Sequence, residues 1–151
     1  MSRYLISRLS ALGDVVCTLP VATALKSLPE ARVEWLVDPR FAGIVECCTA
    51  VDQVHVWKGT YDPRKVPRLG EFETALDLQG LLKSALPLAF LKAKRKLGYH
   101  WRREGSALFA QAVLPDPTSF HVVDQYVDVA RAAGATADRA EWRLEPKTED
   151  T

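Results

Sequence analysis

Short apolar runs alternate with helical stripes along most of this 151-residue chain, and two of the hand-overs between them stand out. RLSALGDVV at residues 8–16 and DLQGLLKSAL at residues 77–86 each follow an apolar run and open a helical pattern. Strands that alternate with helices argue for a parallel sheet joined by right-handed crossovers. The spacing predicts strands at Tyr4–Arg8, Val33–Val37, Gln53–Trp57, Glu73–Leu78 and Arg95–Tyr99. It predicts helices over Asp14–Leu28, Phe41–Cys48, Gly80–Lys92, Glu104–Ala112 and His121–Ala133. The fold class is therefore α/β, a doubly wound parallel sheet. In the winding order 3-2-1-4-5 the first and fourth strands lie side by side where the winding reverses. Both turns then open into one crevice at the carboxyl edge, the usual place for a ligand.

The two turns carry complementary chemistry. Asp14 follows Gly13, read here as the residue that lets the backbone turn tightly, and stands where a helix dipole favours a carboxylate. It can serve as a helix cap, or as a base that accepts a proton from a substrate hydroxyl. Lys83 lies in the first turn of its helix, where a cation is slightly disfavoured unless an anion offsets it. An exposed lysine reaching into water and a holder of substrate phosphate or carboxylate are both open readings. Pro20 lacks an amide proton and is expected to kink its helix or to mark its effective first turn, with Thr18 as the cap. Pro63, Pro67 and two glycines make 58–70 a loop, and Pro87 should distort the helix after the second turn. From Gly134 the pattern dissolves into a polar tail.

Composition excludes several function classes. Net charge is +1, which gives no global case for nucleic acid. The charge is uneven, however. From Lys83 to Arg103 the chain carries seven cations, Lys83, Lys92, Lys94, Arg95, Lys96, Arg102 and Arg103, with no acidic residue among them. That run reads as a solvated face, as a nucleic-acid patch, or as a surface for anionic lipid or a phosphorylated acceptor. Arg102 and Arg103 precede a predicted helix start at Glu104, a favourable place for bidentate phosphate binding. Cys17, Cys47 and Cys48 show no zinc or redox spacing and read as small buried hydrophobes of a reducing compartment. No secretory signal is visible, and the longest apolar stretch, Leu86–Leu91, is far short of the ~18 residues of a membrane span. A cytoplasmic protein is expected. Neither G-x-G-x-x-G nor G-x-x-x-x-G-K-[ST] occurs, and His55, His100 and His121 are scattered.

Five segments resemble the amino-terminal half of the lipopolysaccharide heptosyltransferases, glycosyltransferase family nine, most closely the heptosyltransferase I type. They are RLSALGDVVCTLP at 8–20, ARVEWLVDPRFAGI at 31–44, DLQGLLKSAL at 77–86, GYHWRREGSALF at 98–109 and HVVDQYVDVARAAG at 121–134. Ala11 departs from the pattern, since a small hydroxyl residue is common there, and family members are about twice this length.

The resemblance implies one Rossmann-like domain of a GT-B type enzyme. Residues 1–134 would be the acceptor-binding domain and 135–151 a tail or the start of an interdomain linker. It implies inverting transfer of heptose from a nucleotide-activated donor, with no cofactor or catalytic metal in the chemistry. Asp14 matches the general base, Lys83 and Arg103 match basic positions for acceptor phosphate or carboxylate, and Ser10 and Gly13 shape the loop around the base. The partners implied are a phosphorylated or acidic glycolipid acceptor, a donor-binding domain in cis or trans and, peripherally, the inner membrane, with no nucleic acid. The expectation is that this piece is inactive alone. The rival readings are a non-enzymatic phosphosugar or glycolipid binding module, a nucleic-acid-binding domain using Lys92–Lys96, and a remnant with an exposed apolar face.

Overall fold

A computed structural model describes residues 1–59, 62–99, 110–114, 116–119, 121–137 and 139–146. The described elements are β1 (Ser2–Ser7), α1 (Leu12–Leu25), β2 (Ala31–Val37), α2 (Ala42–Glu46), β3 (Gln53–Val56), β4 (Glu71–Asp77), α3 (Leu82–Ala89), β5 (Lys92–Tyr99), β6 (Gln111–Val113) and α4 (Val122–Ala132). Six parallel strands form one sheet in the order β3-β2-β1-β4-β5-β6. The predicted reversal between the first and fourth strands is present. Ser7 of β1 lies opposite Asp77 of β4, so the two strands end level.

Helices cover both faces, and each face has its own apolar cluster. One cluster joins Ile6, Val33, Trp35 and Leu76 of the sheet to Val15, Leu19 and Leu25 of α1 and Val127 and Ala130 of α4. The other joins Leu5, Leu36 and Ala75 to Leu88 of α3. An ion cluster borders this second apolar cluster. Glu34, fully buried, accepts hydrogen bonds from Arg3 Nε at 2.6 Å and Arg3 Nη2 at 3.0 Å, and lies 2.7 Å from His55 Nε2. Burial pushes the Glu34 carboxyl upward, but the hydrogen bonds from Arg3 and His55 outweigh it and hold it below its usual value. A buried carboxylate survives only with such partners.

Several boundaries differ from the sequence reading. The first helix begins at Leu12, with Ala11 as its N-cap, and runs through Pro20. Thr18 is no cap. It lies inside the helix and its Oγ1 donates to the Asp14 carbonyl at 2.7 Å. Gly13 is the second residue of that helix and makes no left-handed turn. The third helix stops at Ala89, and β5 starts at Lys92 rather than at residue 95, because alternating lysines are tolerated on a strand exposed along one face. Within the helix predicted over Glu104–Ala112, residues 111 and 112 belong to strand β6; residues 104–109 lie outside the described residues.

The segment after α4 is polar but docked. Thr49 N donates to the Arg143 carbonyl and Glu145 N to the Cys47 carbonyl, each at 2.8 Å. Trp142 explains how α1 tolerates its proline. Pro20 has no N–H, so the carbonyl four residues earlier, Val16, loses its helical partner. Trp142 Nε1 donates to the Val16 oxygen at 2.8 Å and fills that vacancy. Removing the indole donor (Trp142→Phe) should therefore cost about 1 kcal/mol. The cost should shrink in a Pro20→Ala background, where residue 20 regains an amide. Urea unfolding of the four chains in a double-mutant cycle would measure this coupling; strictly additive changes would contradict it.

Candidate functional site

A cavity of about 450 Å3 opens at the carboxyl edge of the sheet. The β1–α1 turn contributes Arg8, Ser10 and Ala11, the start of α1 contributes Asp14, the β4–α3 turn contributes Gln79 and Leu81, and Tyr99 and Tyr126 form a wall. Its volume falls in the range of small-molecule sites. The two tyrosine rings meet edge to face, with centroids 4.8 Å apart. Tyr99 donates to Gln125 Oε1 at 2.7 Å, which fixes the phenol from outside the cavity.

Arg8 sits at the floor and is buried. Its Nη1 donates to the Leu78 carbonyl, and the Tyr126 hydroxyl lies 3.4 Å from the same nitrogen. The guanidinium carbon is 5.4 Å from the Tyr126 ring centroid, within cation–π range. Arg8 Nη2 lies 3.3 Å from Asp14 Oδ2. Arg8 was read in the sequence only as the last residue of a strand. A charged residue ending an apolar strand must find partners if it is buried, and that is the signal that could have found it.

Asp14 is the third residue of α1, and its side chain is 57% exposed. It does not cap the helix, which has no side-chain cap at all. It is the one carboxylate among the described residues that line the cavity. The tyrosines there cannot compete as bases near neutrality, since burial raises both phenols above their ordinary value. Gly13 beside it leaves open space: a Cβ built there meets nothing within 4 Å.

The β4–α3 turn is held from beneath by Asp77, a fully buried carboxylate. Its Oδ1 accepts from Gln79 N and Gly80 N at 3.2 Å each and from Ser84 Oγ at 2.8 Å. Gly80 has φ +79°, a conformation that suits glycine and lets the chain reverse before α3. Gln79 then reaches back to the first turn. Its Oε1 accepts from Leu9 N at 2.7 Å and Ser10 N at 3.1 Å. The two turns are thus tied to each other by a side chain.

The candidate residues are distributed unevenly. Ser10 and Asp14 line the cavity; Gly13 and Lys83 do not. Lys83 is the second residue of α3, on the opposite face from α1, and its stem lies against Gly59 in the loop after β3. Arg103, with Arg102 and His100, lies outside the described residues. Gln79, Tyr99 and Tyr126 were not singled out beforehand. Among the described residues no three His, Cys, Asp or Glu side chains gather as a metal-ligand group, and no helix is long and apolar enough to cross a membrane.

The sequence profile of glycosyltransferase family 9 (heptosyltransferase) matches residues 65–150. The chain belongs to this family. Within it, the chain is 28% identical over 153 residues to the lipopolysaccharide core heptosyltransferase OpsX of Haemophilus influenzae, covering 96% of this chain and 44% of that protein. It is 32% identical over 115 residues to lipopolysaccharide heptosyltransferase 1 of Salmonella typhimurium, covering 66% and 36% respectively. Among solved structures it resembles the E. coli heptosyltransferase WaaC with ADP-2-deoxy-2-fluoro heptose, at a TM-score of 0.72 and 26% identity over 89% of this chain and 49% of that one. A family 9 glycosyltransferase from Veillonella parvula shares the fold at a TM-score of 0.73 and 18% identity, over 95% of this chain and 44% of that one. The chain spans less than half the length of these family 9 relatives.

Burial pushes the Asp77 carboxyl above the ordinary carboxylate range, against the pull of Ser84, the two turn amides and Arg8. The folded chain keeps that proton to higher pH than the unfolded chain. Stability from this group is therefore full below the ordinary carboxylate value and falls as pH rises from there through the raised value. Asp77→Asn keeps the oxygen acceptor and cannot ionise. Its Tm relative to wild type should climb with pH across that window, as followed by thermal unfolding; a difference independent of pH would count against the buried proton.

Proposed function

We propose that this chain supplies the acceptor-binding half and the general base of a heptosyl transfer to the inner core of lipopolysaccharide. The carrying observation is the Asp14–Arg8 pair inside a cavity shared by the β1–α1 and β4–α3 turns, in a chain of the heptosyltransferase family. Arg8 engages Asp14 Oδ2 and leaves Oδ1 for an acceptor hydroxyl. As that hydroxyl oxygen attacks the anomeric carbon, its proton passes to Asp14. The new carbon–oxygen bond forms as the bond to the diphosphate oxygen of the donor breaks, and that electron pair leaves with the nucleotide. Attack from the face opposite the leaving group inverts the anomeric centre.

The tyrosine wall suits the apolar face of a sugar ring, and the open space beside Gly13 lets the acceptor approach the helix end. Lys83 stands beyond the cavity, where it would meet a charged group of an acceptor that extends past the β4–α3 turn. Arg103 keeps the anion-binding role that its match to the family implies. The donor nucleotide sugar would be bound by a second half, supplied in cis or in trans. Contact with the cytoplasmic face of the inner membrane would follow from a lipid-linked acceptor.

Deacylated lipopolysaccharide lacking heptose should bind this chain in calorimetry, and ADP should not. Complemented with a donor-binding half, the chain should transfer heptose, and Asp14→Asn should lower kcat by about 10²-fold or more with acceptor affinity little changed. Near-normal turnover of Asp14→Asn would remove it from the base role.

A further inference from the structure

Gln79 does two separate things with one planar group. Its Oε1 lies between the amides of Leu9 and Ser10, at 2.7 and 3.1 Å. Both amides are donors, so the atom facing them must be the oxygen, and the orientation of the side-chain amide is settled by its surroundings. The residue's own backbone is held as well, because Gln79 N donates to the buried Asp77 carboxylate. With both ends pinned, the NH2 group has a preset direction. It donates to no acceptor among the described residues, and the side chain lines the cavity that holds Asp14.

We propose that Gln79 is a substrate-orienting residue, whose NH2 donates to an acceptor-sugar oxygen next to the hydroxyl that Asp14 deprotonates. The inference rests on the reading of this cavity as the acceptor site. The chemistry is complementary. Asp14 can only accept from the sugar, so it selects a hydroxyl but does not distinguish one from its neighbours. A fixed donor nearby requires a second oxygen, a hydroxyl or a carboxylate, at a set spacing from the first. Together they select a sugar edge bearing adjacent oxygens and choose which of them loses its proton. The same side chain holds the turn leading into α1, so the donor and the base move as one unit.

Two substitutions separate the roles. Gln79→Glu keeps an oxygen for the two backbone amides and exchanges the donor for a second acceptor; Gln79→Met removes both. The probe is deacylated lipopolysaccharide lacking heptose, titrated into the 151-residue chain at about 0.5 M salt to screen the introduced charge. Affinity is read by calorimetry and the Gln79 side-chain NH2 by ¹H–¹⁵N spectroscopy. The expected result is that the NH2 signals shift on titration. Gln79→Glu should lose about tenfold or more in affinity with its Tm unchanged, and Gln79→Met should lose both affinity and Tm. If backbone signals of Ser10 and Asp14 move while the Gln79 NH2 stays put, or if Gln79→Glu binds like wild type, the donor role is wrong and the acceptor site stands. If the wild-type chain shows no binding and no shifted signal, the acceptor site itself falls, and this inference with it.

Discussion

One buried guanidinium ties together the end of the sheet at which the cavity opens. Arg8 leaves β1 and donates to the Leu78 carbonyl just past β4, meets the Tyr126 ring on α4, and engages the Asp14 carboxylate on α1. Four elements from different parts of the chain converge on one side chain. A buried cation without such partners would be costly, so each partner is constrained by the need to satisfy it. The geometry of the cavity follows from that requirement as much as from the sheet.

Around this cation, side chains bond to the main chain of the two turns. Asp77 gathers the amides of the β4–α3 turn, Gln79 gathers those of the β1–α1 turn, and Trp35 Nε1 donates to the Arg8 carbonyl at 3.0 Å from the neighbouring strand. Turns at the mouth of an open sheet have few neighbours to restrain them. Here polar side chains supply the restraint that packing cannot, which is how a surface cleft becomes a fixed one.

The alternation of strands and helices was legible in the sequence because apolar periodicity reports which face each residue presents; the winding order and the meeting of the two turns followed from the usual order of doubly wound sheets. Asp14 is placed by its position just after the first turn, and Ser10 by the family resemblance alone. Lys83 could not be placed, since position along a helix does not say which face of the sheet that helix covers, and α3 packs opposite α1. Nothing in the sequence marks Tyr99 and Tyr126 as wall residues, and Arg8 reads only as a strand end, because their roles arise from contacts between residues far apart in the chain. Residues 111 and 112 of the strand Gln111–Val113 read as the end of a helix because a three-residue edge strand is too short to show a period.

The indole of Trp142 has a mechanical meaning. By occupying the carbonyl that Pro20 leaves bare, it fastens the chain leaving α4 to the helix that presents Asp14, two residues along from that carboxylate. One hydrogen bond thereby moors the stretch around Trp142 to the helix that carries Asp14, at a point which that helix's own backbone leaves open.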